Sequence, residues 1–542
     1  MALPDVESPA AIEQPEPDPV VGPGGPDGPR GPWRSWGRSV GDLLWYGFLA
    51  VVLTASVVLR FVAVSPLWLD EAQSTAIARL PLTGADPTMF EALRQDGSPP
   101  LYYLLLHGWV GVFGDGQGAV RALSGVLSLI GIPFLYLLAR RLAGVRVARV
   151  VVVFYAASPF ALRYATEARM YALVVLLTAL LGLALERTLR RPGWWPAAGV
   201  AVCSGLLALT HYWCFFLLIT LILWLAYLAV RGRSVPRRNV RIGLVSILAG
   251  AVVFLPWLSS FLYQRQHTGT PWGVPASFSA IVHAYAEWAG GPTTAGRLAL
   301  VLIAALLTFA MFGSGAGQVR VLLDFRGHQP GLTLVGLATA TLLVAVGVGR
   351  LVHNAYADRY TATAFVPYII AVGCGTLCLV DRWLFRGVVG AVALVSLVIG
   401  ITNAGQDRTQ AGDVAAVLAQ YAQPGDTVLA CPDQLGPAVA RLAPRGVRLY
   451  GVPTLTDPSR VNWVDYADRN NNADGFAVAD RALQLTGSHT LWLLAGYDYR
   501  TYESLCPEVN YLLSKKRPHA QQMLLANVDV YEHEALTAYY PK

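Results

Sequence analysis

The chain has 542 residues, of which 54% are hydrophobic and only 14% are charged. A soluble domain is typically about 25% charged, so this composition excludes an ordinary soluble protein and indicates a membrane protein with several spans. The formal net charge is +7, but basic residues do not form blocks interleaved with aromatic ones, so nucleic acid is not an expected partner. The basic residues are almost all Arg, which is typical of a GC-rich bacterial genome, such as an actinobacterial one.

The N-terminal segment, residues 1–42, is rich in Pro, Gly and Asp and lacks the apolar core of a cleavable signal peptide. It predicts a disordered cytoplasmic tail. After it, about eleven apolar runs are long enough, with their flanking residues, to cross a bilayer. They define a membrane domain over residues 43–402, with spans at Leu43–Val64, Val120–Leu138, Val150–Leu162, Met170–Leu185, Trp195–Leu209, Phe215–Val230, Ile242–Leu258, Leu298–Phe312, Leu332–Val348, Ala362–Leu379 and Val388–Ile401.

Arginine clusters occupy every second connection between these runs. Short loops that carry Arg and Lys stay in the cytoplasm, so the pattern predicts a multi-pass protein of the cell membrane with its N-terminus inside. An odd number of spans then places residues 403–542 outside the cytoplasm. The clusters lie at Arg30–Arg38, Arg140–Arg149, Arg187–Arg191, Arg231–Arg241, Arg320–Arg326 and Arg382–Arg386.

The first outer loop, residues 65–119, contains an apolar segment that we do not count as a span. Pro99–Phe113 opens with two prolines and contains His107. If it crossed the membrane, every later Arg cluster would move to the outer side, so we predict a helix lying in the outer interface. Acidic and Arg residues converge on this outer boundary. A charge at membrane depth costs about 2.5–3.5 kcal/mol on insertion scales, so their presence there indicates function.

Five sequence segments lie on this outer face in a fixed order: LWLDEAQS, DGSPPLYYLLL, VRALSG, EARMYAL and DRYTATAFVP. As a set they resemble the GT-C glycosyltransferases, in particular the branch of protein O-mannosyltransferases and lipid A aminoarabinose transferases. The resemblance covers the membrane domain and leaves out the C-terminal domain. It implies a helical polytopic fold and transfer of a sugar, mannose by family frequency, from a polyprenyl-phosphate donor to a glycan, lipid or protein acceptor at the outer membrane face.

Asp70 matches the catalytic acidic position of this family. An acceptor hydroxyl loses its proton as it attacks the anomeric carbon, and a carboxylate within hydrogen-bond reach can take that proton as general base. Adjacent helical residues point in different directions, so we expect one base, Asp70, and one structural or binding partner, Glu71. Asp70 could instead cap a helix that begins near Ala72, and capping does not exclude catalysis.

The lipid phosphate gains negative charge as the sugar leaves it, so a preorganised arginine would lower the barrier. Arg359 is the first choice for this contact, although Asp358 could be its ion-pair partner. Arg169 and Arg121 are second choices as phosphate or acceptor ligands, and pairing with Glu167 or other acids is the alternative.

The resemblance also points to polar residues that could bind substrate. In some relatives an acidic residue at the position of Asp96 shares a metal site with a nearby His. Here the next His is His107, on an apolar helix, and a divalent ion needs at least three or four ligands. The sequence therefore predicts no metal ligands and no required cofactor, and it leaves the need for a divalent metal open. The substrate-binding candidates are Asp96, Glu167, Tyr171, His211 and Tyr360.

The C-terminal domain, residues 403–542, alternates helix and strand patterns, which predicts an α/β sheet domain outside the cytoplasm. It lacks a Gly-rich phosphate loop, so binding of the acceptor or of wall components is expected rather than a second active site. Cys431 and Cys506 are its only cysteines, and an even pair in an oxidising compartment favours a disulfide.

Two other classes of function stay open. A transporter of a lipid-linked or anionic substrate also has many spans and polar residues at the membrane boundary, but this sequence has no apparent internal repeat or mid-span charge. A membrane scaffold or sensor would use the C-terminal domain for binding. Asp70→Asn separates these classes, because only the enzyme should lose activity while its fold stays intact.

Overall fold

The structure is a computed structural model that describes residues 33–231, 235–269, 273–275, 277–351, 355–496 and 499–542. Residues 1–32 of the predicted tail lie outside this set. The first helix begins at Trp33, so the last part of the predicted tail is helical. By their mutual contacts, the described residues up to Phe48 form one unit and Leu49–Lys542 form another.

Nine helices among the described residues are long and apolar enough to cross a membrane. One of them, Gln117–Ala157, bends at Gly144, where φ is 87°. It contains the predicted span Val120–Leu138 and most of the next one, Val150–Leu162. Trp194–Ala208 is a shorter apolar helix that corresponds to another. The predicted spans therefore fall mostly on helical residues. The nine helices are Val40–Leu59, Gln117–Ala157, Tyr171–Arg190, Cys214–Arg231, Arg237–His267, Thr294–Phe312, Gly331–Leu351, Asp358–Cys378 and Arg382–Ala404.

The 65–119 segment folds into three short helices: Leu69–Ala78, Met89–Asp96 and Leu101–Phe113. The second begins with a capping box, in which Thr88 and Glu91 satisfy each other's backbone N–H groups. The third buries Tyr102 and Tyr103 and leaves Val112 exposed, as expected of a helix with one packed face. The first is buried along most of its length, which holds its side chains in fixed positions.

Other connections are more ordered than their sequence suggests. The helix that starts at Arg237 continues through a 3-10 turn, Leu255–Trp257, into Leu258–His267, although the predicted span ends at Leu258. An antiparallel hairpin pairs Gly313–Ala316 with Arg320–Leu323. The remaining elements of this region are Pro159–Ala165, Ser279–Ala289 and the short pair Val274–Pro275 and Ala355–Tyr356.

The C-terminal domain contains a five-stranded sheet, as predicted. Its strands are β1 (Thr427–Cys431), β2 (Arg448–Gly451), β3 (Leu491–Ala495), β4 (Ala520–Leu524) and β5 (Ala535–Tyr539), in the order β2-β1-β3-β5-β4. β1 is parallel to β2 and β3, and β5 is antiparallel to β3 and β4. Helices flank the sheet at Ala411–Tyr421, Gly436–Ala440, Tyr466–Asn471, Gly475–Thr486 and Leu505–Lys516.

A disulfide joins Cys431, at the end of β1, to Cys506 in the helix Leu505–Lys516, and the two Cα atoms are 5.7 Å apart. Both cysteines belong to one hydrophobic core of the C-terminal domain, together with Val452, Val509 and Leu513. The disulfide therefore links the sheet to the helix that covers it.

The C-terminal domain packs directly on the 65–119 segment. Val461 N–H donates to Gln73 Oε1 at 2.8 Å, and Trp463 N–H donates to the Gln95 carbonyl at 3.1 Å. Arg441 Nη2 donates to the Asp115 carbonyl at 2.8 Å. Because these contacts are spread along the segment, the C-terminal domain covers the segment and is held by more than its covalent connection to the helix Arg382–Ala404.

Candidate active site

A cavity of about 940 Å³ lies where the 65–119 segment, the ends of the long helices and the C-terminal domain meet. Each of the three regions contributes polar or aromatic side chains to its wall. The wall includes Trp68, Asp70, Gln73 and Asp96 from the segment, Arg169, His211, Arg359 and Tyr360 from the membrane domain, and Trp463, Tyr499, Tyr531 and Glu532 from the C-terminal domain.

Asp70 lies in the first turn of the helix Leu69–Ala78, which we call the Asp70 helix. Its N-cap is Trp68, so Asp70 does not cap it, contrary to the alternative drawn from the sequence. Asp70 Oδ2 lies 3.5 Å from Arg359 Nε and 3.7 Å from Arg169 Nε. No described residue makes a hydrogen bond to Oδ2. This carboxylate therefore faces two guanidinium groups at the edge of a large cavity.

Glu71 has the opposite environment. It is fully buried, and Arg121 binds it through both carboxylate oxygens at 2.7 and 2.6 Å. The Ala168 N–H donates a third hydrogen bond at 2.9 Å. Burial alone would raise the pKa of Glu71, but Arg121 and Arg408 lower it overall. Since Arg121 also binds the Ser65 carbonyl at 2.7 Å and does not line the cavity, this pair joins the Asp70 helix to the first long helix after it.

Arg169 and Arg359 reach the cavity from different places in the chain. Arg169 follows a tight turn, and its Nη1 donates to Ser74 Oγ at 2.9 Å and to Tyr103 Oη at 3.0 Å. Arg359 lies in the 3-10 turn Asp358–Thr361, with its guanidinium carbon 5.4 Å from the centroid of the Trp68 ring. These contacts fix both arginines beside Asp70.

Asp96, His211 and Tyr360 complete the polar wall. Tyr103 Oη donates to Asp96 Oδ2 at 3.2 Å, and Gln73 Nε2 donates to the other oxygen. Burial, reinforced by Arg169 and Arg359, lowers the pKa of His211 to about 3. His211 is therefore a neutral imidazole, and its ring lies 4.8 Å from that of Tyr360.

Two predicted site residues are buried next to the cavity without lining it. Glu167 is 1% exposed and lies 3.4 Å from Arg163 Nη1. Tyr171 is equally buried, and its ring packs 5.8 Å from His211. The structure thus brings to the cavity Asp70, Asp96, Arg169, His211, Arg359 and Tyr360, and it buries Glu71, Arg121, Glu167 and Tyr171 beside it.

A family profile described as dolichyl-phosphate-mannose-protein mannosyltransferase matches residues 97–259. Among solved structures, ArnT from Cupriavidus metallidurans in the apo state is similar with a TM-score of 0.54 at 14% identity, over 93% of this chain and 98% of ArnT. ArnT bound to undecaprenyl phosphate gives 0.50 at 14% identity, over 92% and 98%. The likeness to ArnT shows that the two proteins share a fold. A search of curated proteins finds no match.

The likeness in fold to ArnT extends over nearly the whole chain, so the shared fold includes the C-terminal domain, which the resemblance in sequence left out. An oligosaccharyltransferase from Archaeoglobus fulgidus, tethered to an acceptor peptide, gives a TM-score of 0.46 at 10% identity over 83% of this chain and 69% of that chain.

Sequence reasoning missed several residues of this cavity. Gln73 lies three positions after Asp70 and therefore on the same helix face, so its place could have been found from the helical pattern. Trp463, Tyr499, Tyr531 and Glu532 reach the cavity only because the C-terminal domain packs on the 65–119 segment. No periodicity or spacing in the sequence signals that packing.

Glu532 is unusual among the wall residues of the cavity. It is 2% exposed, its Oε1 accepts from the Leu69 N–H at 3.2 Å, and its Oε2 has no hydrogen bond to any described residue. Burial, with a further contribution from Asp70 and Glu71, raises the pKa of Glu532 to about 8. At neutral pH it is therefore mostly a neutral carboxylic acid.

One group of residues outside the cavity has the composition of a metal site. His283 Nε2 lies 3.7 Å from Glu287 Oε1 and 3.5 Å from Asp358 Oδ2, and the three ligand atoms lie within 4.8 Å of one another. Imidazole and carboxylate ligands suit zinc or manganese. A protonated His283, which is half exposed, balances the two carboxylates equally well, so the group does not by itself require a metal.

Proposed function

We propose that this chain transfers a sugar from a polyprenyl-phosphate donor to an acceptor hydroxyl at the outer face of the cell membrane. The observation that carries the proposal is the position of Asp70, a carboxylate at the wall of a GT-C cavity with Arg359 and Arg169 within 4 Å. A base and two cations side by side are what a displacement with a phosphate leaving group requires. ArnT, which shares this fold, has been solved with undecaprenyl phosphate.

In the proposed reaction Asp70 takes the proton of the acceptor hydroxyl, whose oxygen forms the new bond to the anomeric carbon. The bond from that carbon to the phosphate oxygen breaks, and Arg359 and Arg169 stabilise the departing phosphate. A retaining route would need a nucleophile and a separate acid–base group, whereas a phosphate leaves without an acid. We therefore propose one displacement with inversion of the anomeric centre.

The other carboxylates of the cavity are less suited to act as the base. Asp96 already accepts hydrogen bonds from Gln73 and Tyr103. The raised pKa of Glu532 leaves it mostly protonated at neutral pH. Asp70 is the carboxylate whose Oδ2 makes no hydrogen bond to a described residue and faces both arginines.

We propose mannose as the transferred sugar, because the matching family profile is described as a dolichyl-phosphate-mannose-protein mannosyltransferase. The acceptor, in this proposal, enters beneath the C-terminal domain. That domain contributes Trp463, Tyr499 and Tyr531 to the cavity wall, and aromatic faces suit the apolar faces of sugar rings as well as peptide side chains.

The proposed orientation rests on where the arginine clusters lie along the helices. Tyr171–Arg190 begins beside the cavity and ends at the Arg187–Arg191 cluster, about 30 Å away at 1.5 Å per residue. Cys214–Arg231 begins close to His211 and ends at another cluster. Positive charge stays inside, so the cavity faces out. A reporter after Lys542 should be active outside the cytoplasm, and one inserted at Arg237 should report the inside.

The test is an assay of the purified protein with radiolabelled polyprenyl-phosphate mannose, arabinose and aminoarabinose, each with a membrane extract as the source of acceptor. We expect transfer of label from one of these donors, mannose first, and none with Asp70→Asn. Absence of transfer from all three donors, or movement of intact donor across a liposome membrane without transfer, would refute the proposal and favour a carrier.

A further inference from the structure

The Asp70 helix has no cap of its own. The first N–H groups of any helix lack partners within it, and the N-cap residue here, Trp68, provides no side-chain hydrogen bond. Instead Glu532, far away in sequence, accepts the Leu69 N–H at 3.2 Å. The Tyr531 ring packs edge-on against Trp68 at 5.3 Å between centroids. The C-terminal domain thus holds the start of the helix that carries the proposed base.

Glu532 is itself firmly anchored. Its backbone N–H donates to the Arg408 carbonyl and its carbonyl accepts from the Gln410 N–H, both at 3.0 Å. Arg408 in turn donates through Nη1 to the Thr166 carbonyl and through its backbone N–H to Ser65 Oγ, both at 2.8 Å. This network ties the backbone of Glu532, through Arg408, to Ser65, which shortly precedes the Asp70 helix, and to Thr166. The backbone of Glu532 therefore cannot shift without breaking several hydrogen bonds.

We propose that Glu532 is a positioning residue for sugar transfer, through which the C-terminal domain fixes the Asp70 helix and hence the carboxylate of Asp70. The inference rests on the proposed function of Asp70. Catalysis needs the base within a few tenths of an ångström of its place, and a displacement of about 1 Å can cost 10²-fold in rate. The C-terminal domain is then part of the catalytic unit, in addition to covering the cavity.

The required property of Glu532 is one hydrogen-bond acceptor, which an amide also supplies. We therefore expect Glu532→Gln to keep turnover within about threefold of the wild type. Glu532→Ala should lower kcat by about 10- to 100-fold, with the KM for the donor unchanged, because the donor-binding arginines do not move. Glu503→Ala, an exposed Glu of the same domain, is the matched control and should leave both constants unchanged.

The backbone N–H of Leu69, which donates the hydrogen bond to Glu532, can be removed by an independent substitution. Leu69 is the first residue of its helix, a position that tolerates proline, and Trp68 has the extended backbone that a following proline needs. Leu69→Pro removes the N–H, and Leu69→Ala is the reference for the lost side chain. Relative to that reference, Leu69→Pro should lower kcat as Glu532→Ala does, and the combination should lose little more.

Hydrogen exchange measured by mass spectrometry gives a readout that does not depend on activity. Peptides covering residues 69–73 should exchange about tenfold faster in Glu532→Ala than in the wild type or in Glu532→Gln. Unchanged exchange, or unchanged kcat in a Glu532→Ala protein, would overturn the inference. Loss of activity in Glu532→Gln as complete as in Glu532→Ala would also overturn it, since the carboxyl group itself would then be needed. A wild type without transferase activity, or an active Asp70→Asn, would refute the proposed function instead.

Discussion

Asp70 and Glu71 are neighbours in the Asp70 helix, but the sides of the helix that carry their two carboxylates have opposite surroundings. The Glu71 side is a closed ion pair, in which both carboxylate oxygens bind Arg121 and a backbone N–H adds a further bond. The Asp70 side is open, since its Oδ2 faces two arginines at 3.5 and 3.7 Å across the wall of a cavity. Both sides have an acidic residue beside arginine, so residue type alone does not show which acid has a structural role and which is suited to catalysis.

The two sides differ in whether the carboxylate oxygens already have hydrogen-bond partners. A buried carboxylate whose acceptor sites are filled has no capacity left for a substrate, and it holds elements together. A carboxylate with an oxygen unbonded at the edge of a cavity keeps its capacity to accept a proton. Substitutions on the Asp70 side should therefore affect turnover, and substitutions on the Glu71 side should affect stability.

The largest effect is expected for the Asp70 side. Asp70→Asn keeps the volume of the side chain but removes the proposed base, so turnover should fall by about 10³-fold, within the range for a general base. Its melting temperature in detergent should stay close to that of the wild type. Asp86→Asn, an exposed change in the same 65–119 segment, is the control and should retain full turnover.

Arg359→Ala should lower turnover by about 10²–10³, the range for losing one contact to a developing negative charge. The KM for the donor should change less, because the charge grows mainly in the transition state. Arg359→Lys should recover little if the guanidinium binds phosphate through two nitrogens. Steady-state kinetics of the three proteins measure this, and full recovery by lysine would contradict a paired contact.

On the Glu71 side the expected effect is on folding. Glu71→Gln leaves the guanidinium of Arg121 buried beside a neutral group, and breaking a buried pair in this way costs about 3–5 kcal/mol. Thermal unfolding in detergent should therefore occur at a clearly lower temperature. Replacing both partners, Glu71→Leu with Arg121→Met, should restore much of the loss. A singly substituted protein with wild-type melting would show that the pair is not structural.

The smallest effect concerns pH and the C-terminal domain. Burial raises the pKa of Glu532 to about 8, and it raises that of the neighbouring Glu534. The folded state therefore holds protons that the unfolded state has released, so this contribution to stability is complete below about pH 4.5 and is lost as the pH rises through 8. Glu532→Gln should gain stability relative to the wild type between pH 5 and 8.5. A constant difference in melting temperature over this range would contradict the shift.

Much of the fold was predictable, because membrane helices are signalled locally by runs of apolar residues. The bend at Gly144 and the continuation of a helix to His267 were not predictable, since the pattern of apolar residues signals neither feature. At the site, Asp70, Arg169 and Arg359 could be placed together because charged residues at one membrane boundary share a face. For Arg121 the sequence left pairing with an acid as the alternative, but nothing in its spacing shows that the partner is Glu71, which binds two of its nitrogens.

The contribution of the C-terminal domain was the hardest part to predict. Its sheet follows from alternating patterns within the domain, but the docking of Trp463 and Glu532 on the cavity depends on a surface match between distant segments. Hydrogen bonds such as Trp463 N–H to the Gln95 carbonyl involve the backbone and leave no trace in residue type. Sequence could therefore predict the membrane helices and the presence of the sheet, and not the cavity wall that they build together.

The central claim is that Asp70 activates an acceptor for one displacement at the anomeric carbon of a polyprenyl-phosphate sugar. The most direct test is the anomeric configuration of the donor and of the purified product, measured by NMR after turnover by the wild type. The proposed mechanism predicts that the configuration is inverted. A product with the configuration of the donor would contradict it, because retention requires a covalent or otherwise two-step route.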